Sequence, residues 1–274
     1  MKADTKTRYK HKPDRPGEWD LLHFMFVGMQ FSDNTKQKQA DAAKLLDRAR
    51  ERGVVGLAGT EAGAGQALDL RRALQHESAD HGFRHYQHPG SDSWVTINED
   101  FIDGGWDTWH SGILVPARAR RNTAKRLIGA TWNNKRYGKM TSSACHYMTK
   151  GRPDAKSPEY REFLDDNRKI AEEIGRQSKL RGAGSAKFWY SGDQNIVDRF
   201  NDTFLGRAKM TSAADEVGNH PNTGHGNIDV IASYDEDGGV VAEYFRALTD
   251  KEFHLHTDHF LTEAGFWVRR VKAA

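Results

Sequence analysis

His254-Leu255-His256-Thr257-Asp258-His259 is the stretch on which the reading of this chain turns. It sets a carboxylate beside an imidazole in the last fifth of the sequence. Two arrangements use that pair. The whole run spells His-x-His-x-Asp-His, a spacing that suits one half of a two-metal centre, provided that further ligands follow. Otherwise Asp258 and His259 act with acids delivered from far upstream. Residues 260–274 hold no His, no Asp and a single acid, Glu263, so little is left to complete the first arrangement. The second finds its acids in Gly192-Asp193-Gln194-Asn195, Ile228-Asp229-Val230-Ile231 and Gly59-Thr60-Glu61-Ala62-Gly63.

Hydrophobic periodicity places those motifs at or near strand ends. Residues 21–31 and 54–58 read as buried strands. A helix over 36–52 lies between them, with Ala42, Leu45, Leu46 and Ala49 on one face and Gly53 at its end. Glu61 follows the second strand between glycines, where α/β proteins commonly build sites. A second helix is expected over 66–80, and strands over 94–97, 111–115, 140–148, 186–191, 228–233, 240–248 and 266–268. The clearest helix runs over 158–179. Ser157 can cap it, Pro158 suits its first turn, and Tyr160, Phe163, Leu164, Ile170, Ala171 and Ile174 form one apolar face. This order of elements predicts mixed sheets covered by helices.

Glu61 and Asp258 are candidate ligands for a hard cation such as Mg²⁺, which takes oxygen donors and often only one or two carboxylates. Glu61 also reads as a plain turn residue. Asp193 and Asn195, two apart, point to the same side of an extended segment. The carboxylate can then orient or deprotonate water while the amide binds a phosphoryl oxygen, although Gly-Asp-x-Asn equally suits an Asx turn. Asp229, between Ile228 and Val230, is expected to be buried and to need a partner, and His259 is the expected one. His146 is the second candidate imidazole. Its neighbour Cys145 points to the opposite face and reads as a small buried residue.

With 37% hydrophobic and 29% charged residues, the composition suits a soluble globular protein. No stretch nears the roughly 20 apolar residues of a membrane span. The polar N-terminus lacks the apolar core of a secretory signal and one cysteine excludes an internal disulfide, so the cytoplasm is the expected compartment. Residues 1–20 read as a polar extension and 21–274 as one domain, a monomer by default. Net charge is only +3, yet Arg118, Arg120, Arg121, Lys125, Arg126, Lys135, Arg136 and Lys139 occur between 117 and 140 without any acid, with Trp132 and Tyr137 among them. That run reads either as a cationic strip with stacking faces for nucleic acid or as a solvated hairpin rim paired with acids elsewhere.

With Glu61, His146, Gly192-Asp193-x-Asn195, Ile228-Asp229-x-Ile231 and Thr257-Asp258-His259 in this order, the chain resembles the endonuclease/exonuclease/phosphatase superfamily over residues 21–268. The resemblance implies a DNase I-like α/β fold, a four-layer sandwich of two mixed β-sheets flanked by helices. It implies a hydrolase: a Mg²⁺- or Mn²⁺-dependent phosphodiesterase, a nuclease with DNA or RNA as its partner. The alternatives are a phosphomonoesterase or lipid-headgroup phosphatase of the same fold, and a binding module without catalysis. By match, Glu61 and Asp258 look like metal ligands, and His259, oriented by Asp229, would contact the scissile phosphate or act as base. Asp193 and Asn195 would position water and phosphate, with His146 assisting as phosphate ligand or general acid. Arg118, Arg120, Arg121, Lys135 and Arg136 would hold nucleic acid. Two departures stand out. Thr257 replaces the usual Ser, and residues 21–30 lack the asparagine with which the family's first strand binds metal. Gln30 is the amide nearest that role, with Gly28 or Met29 as other occupants of the position. Against this set, the likeness to metallo-β-lactamase-type hydrolases rests on one motif, which in that fold lies early with ligands downstream. His254 and His256 are therefore expected to be strand residues near the site rim.

Overall fold

The computed structural model describes residues 16–29, 35–61, 68–116, 124–147, 158–194, 210–223 and 229–271. Its first strand, β1 (Trp19–Gly28), is apolar on both faces and therefore belongs inside. Phe24 and Phe26 point into one core and Met25 and Val27 into another. Helix α1 (Thr35–Glu51) lays Ala42, Leu45, Leu46 and Ala49 on the second core. The chain then returns as β2 (Val54–Thr60), parallel to β1. A parallel pair needs such a crossover, and the helix supplies it. After α2 (Leu68–Asp80), the antiparallel strands β3 (Phe83–Tyr86) and β4 (Trp94–Asn98) extend the sheet.

The second sheet is built from β5 (Gly104–His110), β6 (Ile128–Asn134), β7 (Gly138–Ala144), β8 (Lys187–Asp193), β9 (Thr211–Ser212) and β10 (Asp229–Tyr234). Helix α3 (Pro158–Arg181) bridges the parallel pair β7 and β8, and the short α4 (Ala213–Val217) follows β9. Strands β11 (Val240–Leu248) and β12 (Leu261–Arg269) complete the first sheet. Strand order is β11-β12-β1-β2-β4-β3 in one sheet and β5-β6-β7-β8-β10-β9 in the other. Each sheet thus carries one parallel pair at its centre, with antiparallel strands outside it.

Phe24, Phe26, Trp132, Met140, Trp189 and Phe266 fill the space between the sheets, with Phe24 stacked on Trp189 at 4.5 Å between centroids. Leu57, Met25 and Val27 pack outward under α1 and α2, while Phe188, Tyr190 and Val230 pack under Ile170, Ala171 and Ile174 of α3. The result is the expected four-layer α/β sandwich. Among the described residues no helix is long and apolar enough to cross a membrane.

Several expected boundaries move. Residues 111–115 are not a strand; the strand ends at His110, and Val115 instead makes an isolated bridge to Lys125. Gly112, without a side chain to pack, and Pro116, without an N–H to donate, suit a loop better than a ladder. The last strand begins at Leu261 and not at 266. His254 and His256 lie in the loop before it, where His256 Nδ1 is 3.0 Å from Asp41 on α1, so they are not strand residues. Strand β6 lies hidden inside the cationic run: Trp132 is fully buried between the sheets and Tyr137 is bound through its hydroxyl to Asp20 at 2.9 Å. Neither ring offers a stacking face for nucleic acid.

Strand β3 carries a titratable group that makes stability depend on pH. His85 Nδ1 bonds Thr96 Oγ1 at 2.9 Å, while Nε2 is buried with no hydrogen-bond partner among the described residues. Burial, reinforced by the Arg71 charge, pushes this imidazole down to about 3. The unfolded chain therefore takes up a proton near pH 6.5 that the folded protein refuses. Stability should fall as pH drops from 6.5 towards 3 and be unaffected by this group above 6.5. The expected loss between pH 7 and pH 5 is about 2 kcal/mol. Urea denaturation at both pH values should show that slope in the wild type and a shallower one in His85→Gln.

Candidate active site

The ends of β1, β2, β7 and β8 and the beginnings of β10 and β12 share one rim of the sandwich. Register requires this within each sheet: Asp229 pairs with Asp193, Phe26 with Thr262, and Gly28 with Thr60. The acids and imidazoles of the sequence motifs converge there. Glu61, immediately after β2, has φ +64°, and is the single non-glycine with positive φ among the described residues. Holding a side-chain-bearing residue in the left-handed region costs on the order of 1–2 kcal/mol, a strain typical of functional positions.

Two imidazoles face the same two carboxylates. His146 Nε2 lies 3.7 Å from Glu61 Oε1 and 3.6 Å from Asp193 Oδ2. His259 Nε2 lies 3.9 Å from Glu61 Oε2 and 3.7 Å from the same Asp193 oxygen. Asp258 Oδ1 is 3.8 Å from His259 Nε2. These separations exceed hydrogen-bond length. Glu61 Oε2 and His146 Nε2 are buried and have no hydrogen-bond partner among the described residues. Glu61 with His146 and Asp193, Glu61 with Asp258 and His259, and Asp193 with Asp229 and His259 each place ligand atoms within 4.8 Å of one another. This oxygen-rich donor set, with buried polar atoms left open, fits a hard divalent cation.

Each imidazole is gripped from behind. His259 Nδ1 is 3.0 Å from Asp229 Oδ2 and 3.2 Å from Oδ1. Burial alone would lower the His259 pKa. The Asp229 charge and hydrogen bond, helped by Asp193 and Glu61, reverse that and push it up to about 10, so the ring is an imidazolium at neutral pH. Burial, and next the Asp229 charge, push Asp193 up to about 6 against the opposing pull of the two imidazoles. Burial also raises Asp229.

His146 has a partner set that sequence reasoning missed. Its Nδ1 lies 2.9 Å from Asp92 Oδ2 and 2.9 Å from Lys125 Nζ, and the two partners form their own ion pair at 2.6 Å. Burial would raise Asp92, but the Lys125 and His146 charges outweigh it and hold the carboxyl far below the usual range. Ser93 Oγ fixes the His146 backbone N–H at 3.1 Å. Thr223 was also missed; its hydroxyl accepts from Asp229 N at 3.3 Å and its carbonyl from Phe260 N at 2.8 Å. The available signal was local: Asp92 sits between Ser91 and Ser93 just before a buried strand. Thr257, the residue replacing the usual Ser, donates its hydroxyl to Gly28 O at 2.7 Å and so ties the His259 loop to the end of β1.

The first strand supplies no amide ligand among the described residues. Gly28 ends β1, and a Cβ there would meet the His259 ring at 2.7 Å. Gln30, Asn195, Arg118, Arg120 and Arg121 lie outside the described residues. Lys135 and Arg136 do not join the cluster. They occupy the β6–β7 turn, at the opposite end of β7 from His146 and roughly 20–30 Å from it along the strand. Lys135 ion-pairs there with Asp103 at 3.4 Å.

No protein-family model matches the chain, and no curated protein matches it significantly. Solved structures do. An endonuclease/exonuclease/phosphatase protein from Bacteroides vulgatus superposes with a TM-score of 0.64 at 13% identity, covering 91% of this chain and 100% of that one. D. rerio TDP2 in complex with a single-strand DNA product gives 0.62 at 10% identity, over 90% and 98%. A Bacteroides thetaiotaomicron mannosyl-6-phosphatase gives 0.60 at 13% identity, over 89% and 99%. The chain has the fold of the endonuclease/exonuclease/phosphatase proteins. In this endonuclease/exonuclease/phosphatase fold, the rim with the acid–imidazole cluster is the part that carries titratable chemistry between the two sheets.

Proposed function

We propose that the protein is a divalent-metal-dependent phosphodiesterase that hydrolyses nucleic acid. The observation carrying this reading is the convergence of both imidazole Nε2 atoms on Glu61 and Asp193, each within 4 Å. Glu61 and Asp258 would hold Mg²⁺ or Mn²⁺, which supplies Lewis-acid stabilisation of charge on the phosphoryl oxygens. Asp193, pushed up to about 6 mainly by burial, would orient water and take its proton. Asp229 keeps His259 charged, so that its Nε2–H donates to a phosphoryl oxygen as charge builds in the transition state. His146, anchored through Nδ1 by Asp92, presents Nε2 to the substrate from the other side.

Fold neighbours include both a DNA complex and a sugar phosphatase, so the substrate is argued from charge. Val115 pairs with Lys125, and Lys125 Nζ lies 2.9 Å from His146 Nδ1. In sequence, Arg118, Arg120 and Arg121 fall between those two residues with no acid among them, and a run of that charge favours a polyanion over a small monoester.

One experiment tests both parts. Plasmid, linear duplex, single-stranded DNA, RNA and a phosphomonoester are each incubated with the protein and Mg²⁺, Mn²⁺ or EDTA. Metal-dependent cleavage of polynucleotide, lost in Glu61→Gln and Asp193→Ala, is expected. Release from the monoester alone would replace the nuclease with a phosphatase. Binding of DNA without turnover under any metal would leave only a binding module.

A further inference from the structure

A cluster of two arginines and two histidines lies on the same rim, beside the acid–imidazole site. His88, in the loop between β3 and β4, packs at a tilt against His110, the last residue of β5, with ring centroids 4.1 Å apart. A Cβ built on Gly90 would lie 3.5 Å from the His88 ring and 3.7 Å from Arg126 Nε, so the guanidinium and the imidazole border one small space. Arg71, on α2, reaches the same loop through Nη2, which donates to Gln87 O at 3.1 Å.

Arg126 and His110 are held by a backbone carbonyl, not by an acid. Ser111 O accepts from Arg126 Nη1 at 3.1 Å and lies 2.9 Å from His110 Nδ1. Among the described residues none of the four makes an ion pair with an Asp or Glu, and Arg126 Nε is buried without a hydrogen-bond partner. Gly90 N donates to His88 Nδ1 at 3.0 Å, which leaves the His88 proton on Nε2 as a donor. Burial, then the charges of His110, Arg126 and Arg71, push His88 down, as an uncompensated positive field does. A structural cluster would be expected to bring in a carboxylate, as Lys125 does with Asp92 one residue away.

The position relates this cluster to the catalytic one. Arg126 precedes Ile128 by two residues and His146 follows Ala144 by two, and Ile128 pairs with Ala144 across adjacent strands. Gly90 is two residues from Asp92, or at most about 7 Å between Cα atoms. The two clusters are therefore on the order of 7–15 Å apart.

We infer that Arg71, His88, His110 and Arg126 form a second phosphate-binding subsite, which holds a phosphate of the same nucleic-acid strand close to the bond being cleaved. This rests on the phosphodiesterase reading above and specifies its substrate as a strand with several phosphates. A substrate with one phosphate cannot reach both clusters.

The test compares Arg126→Gln and His88→Gln with the wild type on two substrates, a chromogenic phosphodiester bearing one phosphate and a fluorescein-labelled single-stranded DNA dodecanucleotide. Arg71→Gln is the third variant, and urea denaturation of all three checks that each keeps the fold. For the dodecanucleotide, KM should rise about tenfold, and in the two arginine variants the salt dependence of binding should flatten by roughly one unit of log–log slope per charge removed. The single-phosphate substrate should keep its kcat and KM. An unchanged dodecanucleotide KM in all three variants would overturn the subsite, as would an equal rise for both substrates. If the wild type hydrolyses neither substrate with any metal, the phosphodiesterase reading fails on its own. Anisotropy of the labelled dodecanucleotide in EDTA then decides the subsite: weaker binding in the variants, with a flatter salt slope in the two arginine variants, supports it, and wild-type binding rejects it.

Discussion

Replacing His259 with alanine is expected to lower kcat for phosphoester hydrolysis by roughly 10²–10⁴-fold, the range for a positioned proton-bearing group, with KM changed only a few-fold. The ring is 4% exposed and its Nε2 is the donor that Asp229 keeps charged. Asp229→Asn should reproduce most of that loss although His259 is intact, because an amide neither raises the imidazole pKa nor enforces the proton on Nε2. The two single variants should therefore be far from additive in the double variant, as for residues acting as a unit. Steady-state kinetics of the three variants checks this. Additive losses would mean that Asp229 and His259 act separately. Stability should respond in the opposite order. Asp229→Asn leaves a buried imidazole without its counter-charge, whereas His259→Ala leaves carboxyls that burial already pushes towards the neutral form.

Lys125→Met is expected to destabilise the fold by about 3–5 kcal/mol, the usual cost of leaving one member of a buried ion pair alone. Asp92 is 5% exposed, and the Lys125 charge is the largest single influence that keeps it ionised. The double replacement Asp92→Leu with Lys125→Met should recover much of that loss, since an apolar pair of similar volume needs no compensation. Urea denaturation of the two proteins measures the difference. The recovered fold should still hydrolyse poorly, because His146 then lacks the acceptor that aims its Nε2. Activity restored together with stability would mean that Asp92 and Lys125 serve the fold alone.

The sandwich was legible in the sequence wherever burial imposes a pattern on neighbouring residues. Met25 and Val27 alternate with Phe24 and Phe26, and Ala42, Leu45, Leu46 and Ala49 repeat at helical spacing. Strand β6 was not legible, because the buried Ile128, Ala130 and Trp132 are flanked by cations and the charge pattern dominates the window. The same run misled in a second way. Lys125 is one lysine among many in sequence, and only its contact with Asp92, 33 residues away, shows it to be buried. Strand β3 is short and half-exposed at a sheet edge, so alternation had nothing to act on. Asp229 and His259 could be paired on paper because a charge between Ile228 and Val230 must be compensated. Asp92 and Thr223 carried no such demand, since nothing around them in the sequence forces them inside.

The contact between Gly28 and the His259 ring makes residues 28 and 259 compete for one volume. An asparagine placed at the end of β1 would displace the very imidazole it was meant to assist. The residue at the strand end and the imidazole thus form a single choice, and this chain has taken the version with no side chain at the strand end and a histidine pressed against it. That couples two positions 231 residues apart more tightly than most neighbours in the chain.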